Sequence, residues 1–193
     1  MSRPTLRARN QQRARDEIVA AAYDLFTERD YADVTVADIA DRAEVGRTTF
    51  FRYFGDKQEV VFAGEEEWLD NVARRHRELR LDHPPSLPEA LALLRDTTEA
   101  VCAWATRDTA RYVLRERLIA ENPELDDRMA RKHRRLVEMM GENLRQQGAS
   151  AETAALAPQL ALACYKAGHE IAAGDPDTLW PSVAAAFDQL GVV

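Results

Sequence analysis

Apolar residues recur along this chain every three or four positions, the spacing of one face of an α-helix, and no run alternates with β-branched residues long enough to predict a sheet. The first segment, roughly Gln11 to Arg29, places Ile18, Ala21, Ala22, Leu25 and Phe26 on one face and Asp24 and Glu28 opposite. Thr35 stands where it can cap a second helix with Val36, Ile39, Ala40 and Ala43 as its buried stripe, and Val45-Gly46 breaks the period before Arg47 restarts it. The third segment buries Phe50 and Phe54. Gly55 suits a left-handed helix end, and Asp56 with Glu59 resembles a capping box opening a fourth helix that runs to about Leu81.

His83-Pro84-Pro85 is the clearest stop, and Ser86 with Pro88 and Glu89 marks a new start, followed by the stripe Leu87, Leu91, Leu94, Val101 and Ala105. A sixth segment covers about Thr109 to Glu121. Asn122-Pro123 then reads as an N-cap with proline in the first helical position, opening a seventh segment to Gln147 with His133, Leu136, Val137, Met140 and Leu144 on one side. Gly148 to Ser150 punctuates the chain before an alanine-rich eighth segment ending near Ala173. Gly174 to Asp177 precedes a ninth, in whose first turn Pro181 is expected. The predicted class is all-α, about nine helices without an internal repeat.

Residues 34 to 57 are the most informative stretch, because their two short amphipathic helices are separated by too few residues for anything but a tight turn. That is a helix-turn-helix, a unit whose second helix enters the DNA major groove. On a helix beginning at Arg47, the side chains of Arg47, Thr48, Phe51 and Arg52 point away from the face carrying Phe50 and Phe54. Arg47 is the candidate base reader, since a guanidinium bonds bidentately to guanine. The plain alternative is that these cations only solvate a surface helix.

A net charge of −7 argues against nucleic acid until its distribution is considered. Residues 1 to 15 hold five arginines (Arg3, Arg7, Arg9, Arg13, Arg15) and no acid; residues 1 to 57 hold ten basic and ten acidic residues, so the whole acidic excess lies in 58 to 193. This fits a basic arm and DNA-binding domain over 1 to 57 attached to an acidic helical domain over 58 to 193. Cys102 and Cys164 have no ligand or disulfide spacing and read as buried thiols of a reducing, cytoplasmic protein. No apolar run reaches the ~20 residues of a membrane span, and no signal-peptide pattern follows the first arginines. His76, His83, His133 and His169 show no zinc-pair spacing, Glu65-Glu66-Glu67 is a charge run, and no nucleophile, phosphate or dinucleotide motif is present. No metal, cofactor or enzymatic activity is therefore expected.

The second and third helices resemble the TetR (tetracycline-repressor-like) family, whose motif reads approximately Thr-x-x-x-Ile-Ala-x-x-Ala-Gly-Val-Ser-x-Gly-Thr-x-Tyr-x-Tyr-Phe-x-x-Lys. The matching residues are Thr35, Ile39, Ala40, Ala43, Val45, Thr49, Tyr53, Phe54 and Lys57, and the detailed resemblance covers residues 15 to 62. Four positions depart from it: Glu44 for glycine, Gly46 for serine, Thr48 for glycine and Phe51 for tyrosine. Gly46 still supplies backbone freedom between the helices, while Glu44 gives up an easy left-handed conformation. Phe51 lacks the hydroxyl that the family's tyrosine offers to phosphate, leaving apolar packing against sugar or a thymine methyl.

The resemblance implies a DNA-binding regulator, most simply a ligand-responsive repressor, in which Thr35, Thr49, Tyr53 and Lys57 occupy positions that touch phosphates. It also implies a homodimer on a palindromic double-stranded operator, since readers of this type span half-sites about 34–36 Å apart or a multiple of it. The last two segments offer the dimer surface through Leu160, Cys164, Gly168, Ile171, Val183, Phe187 and Leu190, with an intrachain core as the alternative. Trp68, Trp104, Tyr112, Arg115, His133, Met140, Tyr165 and His169 are candidates for a small-molecule effector pocket, although such residues at helical spacing also make plain core. Two other classes stay open: a helical ligand-binding or protein-interaction module without DNA binding, and a helical enzyme.

Overall fold

The computed structural model describes residues 6–64, 69, 72, 74 and 83–191. Among them the regular elements are all helical: α1 (Leu6–Glu28), a 3-10 turn (Tyr31–Asp33), α2 (Val36–Arg42), α3 (Arg47–Tyr53), α4 (Lys57–Val61), α5 (Leu87–Thr106), α6 (Thr109–Glu121), α7 (Pro123–Gln146), α8 (Ala151–Ala172) and α9 (Pro176–Asp188). The fold class is therefore all-α. Contacts divide the chain into two compact units, residues 1–66 and 67–193, here called the head and the body.

In the head, α1 packs on α2 and α4, and α2 packs on α3. Ile18, Ala22, Phe26, Tyr31, Val34, Ile39, Ala40, Phe50, Phe54 and Val60 fill the core. The apolar period begins at Ile18, but α1 starts at Leu6, earlier than that period predicts. Exposed pairs one turn apart support the added turns: Arg13 to Glu17 at 2.8 Å and Gln12 to Asp16 at 2.9 Å. The fourth helix is shorter than expected. Asp56 caps it by accepting from the Glu59 amide, 2.9 Å, yet it ends at Val61 in a turn that closes on Gly64 at φ 84°. Its place is fixed inside the head, where the Tyr23 hydroxyl donates to the Val61 carbonyl at 2.9 Å. Gly55 is not left-handed; α3 instead unwinds through Phe54 in extended backbone, φ −136°.

In the body, α8 packs on α9, α7 and α5. Leu91, Leu94, Cys102, Tyr112, Met140, Leu144, Leu179, Val183 and Phe187 surround a run of small α8 residues, Ala154, Ala157, Ala161, Cys164 and Ala172. Ser86 and Glu89 form the capping box that opens α5, and the Ser150 hydroxyl accepts from the Thr153 amide, 3.1 Å, at the start of α8. Asn122 departs from its expected role. Its side chain donates to the Leu118 carbonyl, 2.8 Å, finishing α6 rather than capping α7. Pro181 also differs, because α9 already begins at Pro176, so Pro181 lies inside the helix beyond its first turn.

Pro158 lies inside α8 as well, and proline there cannot donate to the carbonyl four residues back, that of Ala154. Gly141 of α7 comes against this same oxygen, so closely that a Cβ would stand 2.8 Å from it. The helix defect and the missing side chain meet.

Candidate nucleic-acid interface

The helix-turn-helix is held by short-range hydrogen bonds at each of its joints. At the start of α2 the Thr35 amide and hydroxyl both donate to the Asp38 carboxylate, 2.8 and 2.7 Å, and the hydroxyl oxygen accepts from the Asp38 amide at 3.2 Å. Those bonds, the hydroxyl's first, hold the Asp38 carboxyl below its ordinary range. At the end of α2 the Glu44 amide donates to Asp41 O, 3.1 Å, and the Val45 amide to Ala40 O, 2.9 Å. This double closure is a Schellman motif, which needs a left-handed residue at position 44. Glu44 supplies it, φ 53°, and Gly46 takes an ordinary extended conformation, φ −70° and ψ 147°, as N-cap of α3. The glycine shifted to 46 is thus not where backbone freedom is used.

From this turn α3 projects with Phe50 wholly buried and Arg47, Thr48, Phe51 and Arg52 exposed. The head's Arg42 makes a two-pronged pair with Glu28, 2.9 and 2.8 Å, and Arg29 approaches Asp38 at 3.7 Å. Among the described residues neither Arg47 nor Arg52 pairs with a carboxylate. Arg52 lies over the Tyr53 ring, 5.0 Å from its centroid. A helix face holding two such guanidinium groups, a hydroxyl and a phenyl ring is suited to an anionic, grooved partner.

The four residues matched to phosphate-touching positions divide into two kinds. Thr49 and Tyr53 flank the exposed face of α3 and are half-buried. Thr35 is exposed, but its hydroxyl is engaged in the capping box. Lys57 is turned toward the head itself, donating to Tyr31 O at 2.6 Å and Val34 O at 2.9 Å, with its ammonium 4.1 Å from the Tyr31 ring centroid. The head thus uses its own carbonyls to hold a cation at the start of α4.

In the body, five of the eight pocket candidates come together around a residue the sequence reading missed, Glu116. Its carboxylate accepts from Arg115 at 3.1 Å and from His169 Nε2 at 2.6 Å, joining α6 to α8. The Tyr165 ring lies 5.8 Å from His169 and 5.6 Å from His133, and the Arg115 guanidinium 5.9 Å from the Tyr112 ring. Burial works to raise the Glu116 pKa, but the His169 hydrogen bond and the Arg115 charge outweigh it and hold the carboxyl low. Burial, helped by Lys166 and His169, pushes His133 down to about 4. The Tyr112 hydroxyl is buried without a hydrogen-bond partner among the described residues. Trp104 stands apart under Arg107, 4.6 Å from its guanidinium, Met140 belongs to the apolar core, and Trp68 lies outside the described residues. Glu116 was legible in one respect: it falls on the stripe of buried Tyr112, Arg115 and Ile119.

The expected dimer surface needs correction at four positions. Cys164, Gly168, Val183 and Phe187 are buried where α8 meets α9 in the same chain, so they are not free to meet another. Leu160 is half-buried, while Ile171 is 72% and Leu190 43% exposed. Leu156, which the sequence reading passed over, is also exposed.

A family model described as "Bacterial regulatory proteins, tetR family" matches residues 18–63. The chain is 44% identical over 58 residues, 30% of its length and 26% of the relative's, to the HTH-type transcriptional regulator TcmR of Streptomyces glaucescens. It is 38% identical over 56 residues, 29% and 24% of the two lengths, to the HTH-type transcriptional regulator HbdR of Aromatoleum sp. (strain CIB). An HTH-type transcriptional repressor of Mycobacterium tuberculosis matches at 39% over 66 residues, 32% of this chain and 35% of that protein. The chain thus spans between about a quarter and a third of the length of these curated relatives. A crystal structure of a TetR transcriptional regulator from Rhodococcus sp. RHA1 aligns with 93% of this chain and 96% of its own at 21% identity and a TM-score of 0.47. The match to the tetR family of bacterial regulatory proteins thus lies in the helix-turn-helix head, residues 18–63.

Proposed function

We propose that the protein is a DNA-binding transcriptional regulator, acting in the cytoplasm as a homodimeric repressor on a palindromic operator. The observation that carries this reading is the outward face of α3, where Arg47, Thr48, Phe51 and Arg52 stand exposed on a helix whose other side is seated on the head's core. Arg47 reads a base edge, Thr49 and Tyr53 set register against phosphates, and Lys57 acts mainly by holding the head together. Pairing falls to the outer side of α8, where Leu156, Ala163, Ala167 and Ile171 are exposed and Leu160 half-exposed at helical spacing. A second copy is the fitting occupant, because one short recognition helix offers too little surface for specific binding.

Regulation enters through the body. A small molecule engaging the Tyr112, Arg115, His133, Tyr165 and His169 cluster would favour one arrangement of the dimer, and a differential affinity of a few kcal/mol suffices to shift the population. If operator affinity is unchanged by every compound shown to occupy the body, this part of the proposal is wrong.

Selection of duplexes from a random pool tests the core of the reading. The expected result is a sequence with two-fold symmetry, bound with an affinity that falls steeply with salt, by about 0.9 in the log–log slope for each phosphate neutralised. Equal affinity for all duplexes, or none even in dilute buffer, would refute it.

A further inference from the structure

Phe51 is 50% exposed, and it is the one aromatic among the large hydrophobic side chains that stand exposed in the described residues. It is also held in place. Its ring meets the buried Phe50 ring edge-on, centroids 5.5 Å apart and planes at 85°. One turn back along α3 stand the exposed Arg47 and Thr48, and Arg52 follows it, so the ring sits at the centre of the face assigned to the groove.

A phenyl ring has neither donor nor acceptor. Against a phosphate it gains nothing, and pressed on a polar base edge it strips that edge of water without replacing the hydrogen bond. The major groove presents one apolar group, the 5-methyl of thymine. Sugars line the groove wall, whereas Phe51 lies between the arginines in the middle of the face. We infer that Phe51 is a specificity-determining residue that reads a thymine methyl in each half-site of the operator. The inference rests on the DNA-binding reading above and gives it a defined base preference.

The experiment replaces each thymine of a selected duplex in turn with deoxyuridine, which keeps every hydrogen-bonding group and lacks only the methyl. Dissociation constants are read by fluorescence anisotropy at fixed salt for the unaltered protein and for Phe51→Ala, Phe51→Leu and Phe51→Tyr. At one thymine per half-site the unaltered protein should lose about four-fold in affinity, the equivalent of burying one methyl group, about 0.8 kcal/mol. Phe51→Ala should bind the thymine and uracil duplexes within two-fold of one another, while Phe51→Tyr, which keeps the ring, should still discriminate. Circular dichroism checks that each variant folds; should Phe51→Ala not fold, loss of the preference in Phe51→Leu, whose flat ring face is gone, supports the inference in its place. A selected duplex that is insensitive to uracil at every position, or a loss that persists undiminished without the ring, overturns the inference and leaves DNA binding intact. Failure to select any duplex removes both.

Discussion

Gly168 on α8 lies against Val183 on α9 so closely that a Cβ at position 168 would stand 2.4 Å from both the backbone nitrogen and the Cα of Val183. The contact is with main chain, which cannot swing aside. Gly168→Ala should therefore lower stability by about 3 kcal/mol through overpacking, read from the urea midpoint at unchanged m-value. Trimming the facing side chain with Val183→Ala should not restore it, since the obstructing atoms remain. A Gly168→Ala variant as stable as the parent would show that the two helices separate freely.

Glu44 and Gly148 occupy equivalent places, each the left-handed residue of a Schellman closure, with φ 53° and 86°. Only one of them is glycine. Replacing Glu44 by glycine should stabilise the protein by about 1 kcal/mol, and Gly148→Ala should destabilise it by a similar amount. Thermal melting of the two variants checks both directions.

Arg47 and Lys57 should separate when stability and DNA binding are measured together. Arg47 is exposed and unpaired with any carboxylate among the described residues, so Arg47→Ala should change stability by less than about 0.5 kcal/mol while weakening sequence preference by about 1–3 kcal/mol. Lys57 bonds two carbonyls, and Lys57→Ala should cost about 2–3 kcal/mol in stability and lower affinity for all duplexes alike. Equal melting temperatures for the two variants would contradict this division.

His133 makes the body's stability depend on pH. Its folded pKa of about 4 lies below an unfolded value of 6.5, so between these limits the unfolded chain holds a proton that the folded chain rejects, and stability falls as pH falls. From pH 7 to pH 5 the loss should be about 2 kcal/mol in urea titrations, and His133→Gln should abolish most of it. Glu116 acts in a lower window. Its carboxyl is held below the ordinary 4.5, so the stability from its bonds to Arg115 and His169 is present above that value and is lost as pH drops through the folded pKa. Lys166, His169 and Arg115 also act on His133 against its charged form, Glu116 acts in its favour, and the Tyr165 ring packs against it.

What could be read from the sequence was local. Thr35 and Ser86 announce helix starts because a hydroxyl there can accept from a backbone amide of the first turn whatever surrounds it, and in the structure a carboxylate three residues on completes each into a capping box. Partnership was not legible. Cys164, Gly168, Val183 and Phe187 form an apolar stripe that looks the same whether it meets the next helix of its own chain or of another. Glu116 escaped notice because a glutamate beside an arginine ordinarily stands in water, and only the arrival of His169 from α8 makes it a buried anion. Gly55 misled in the opposite sense, since extended backbone at Phe54 ended α3 without a left-handed residue.

The meeting of Pro158 and Gly141 has a consequence for how this chain can vary. The oxygen of Ala154, left without an amide by Pro158, is approached by the bare Cα of Gly141, and any side chain there would strike it. The two positions therefore differ in what they tolerate: an amide at 158 would offer that carbonyl the helix bond it lacks, whereas a methyl at 141 would have to displace it. Of the pair, the glycine is the residue that a single peptide oxygen holds in place.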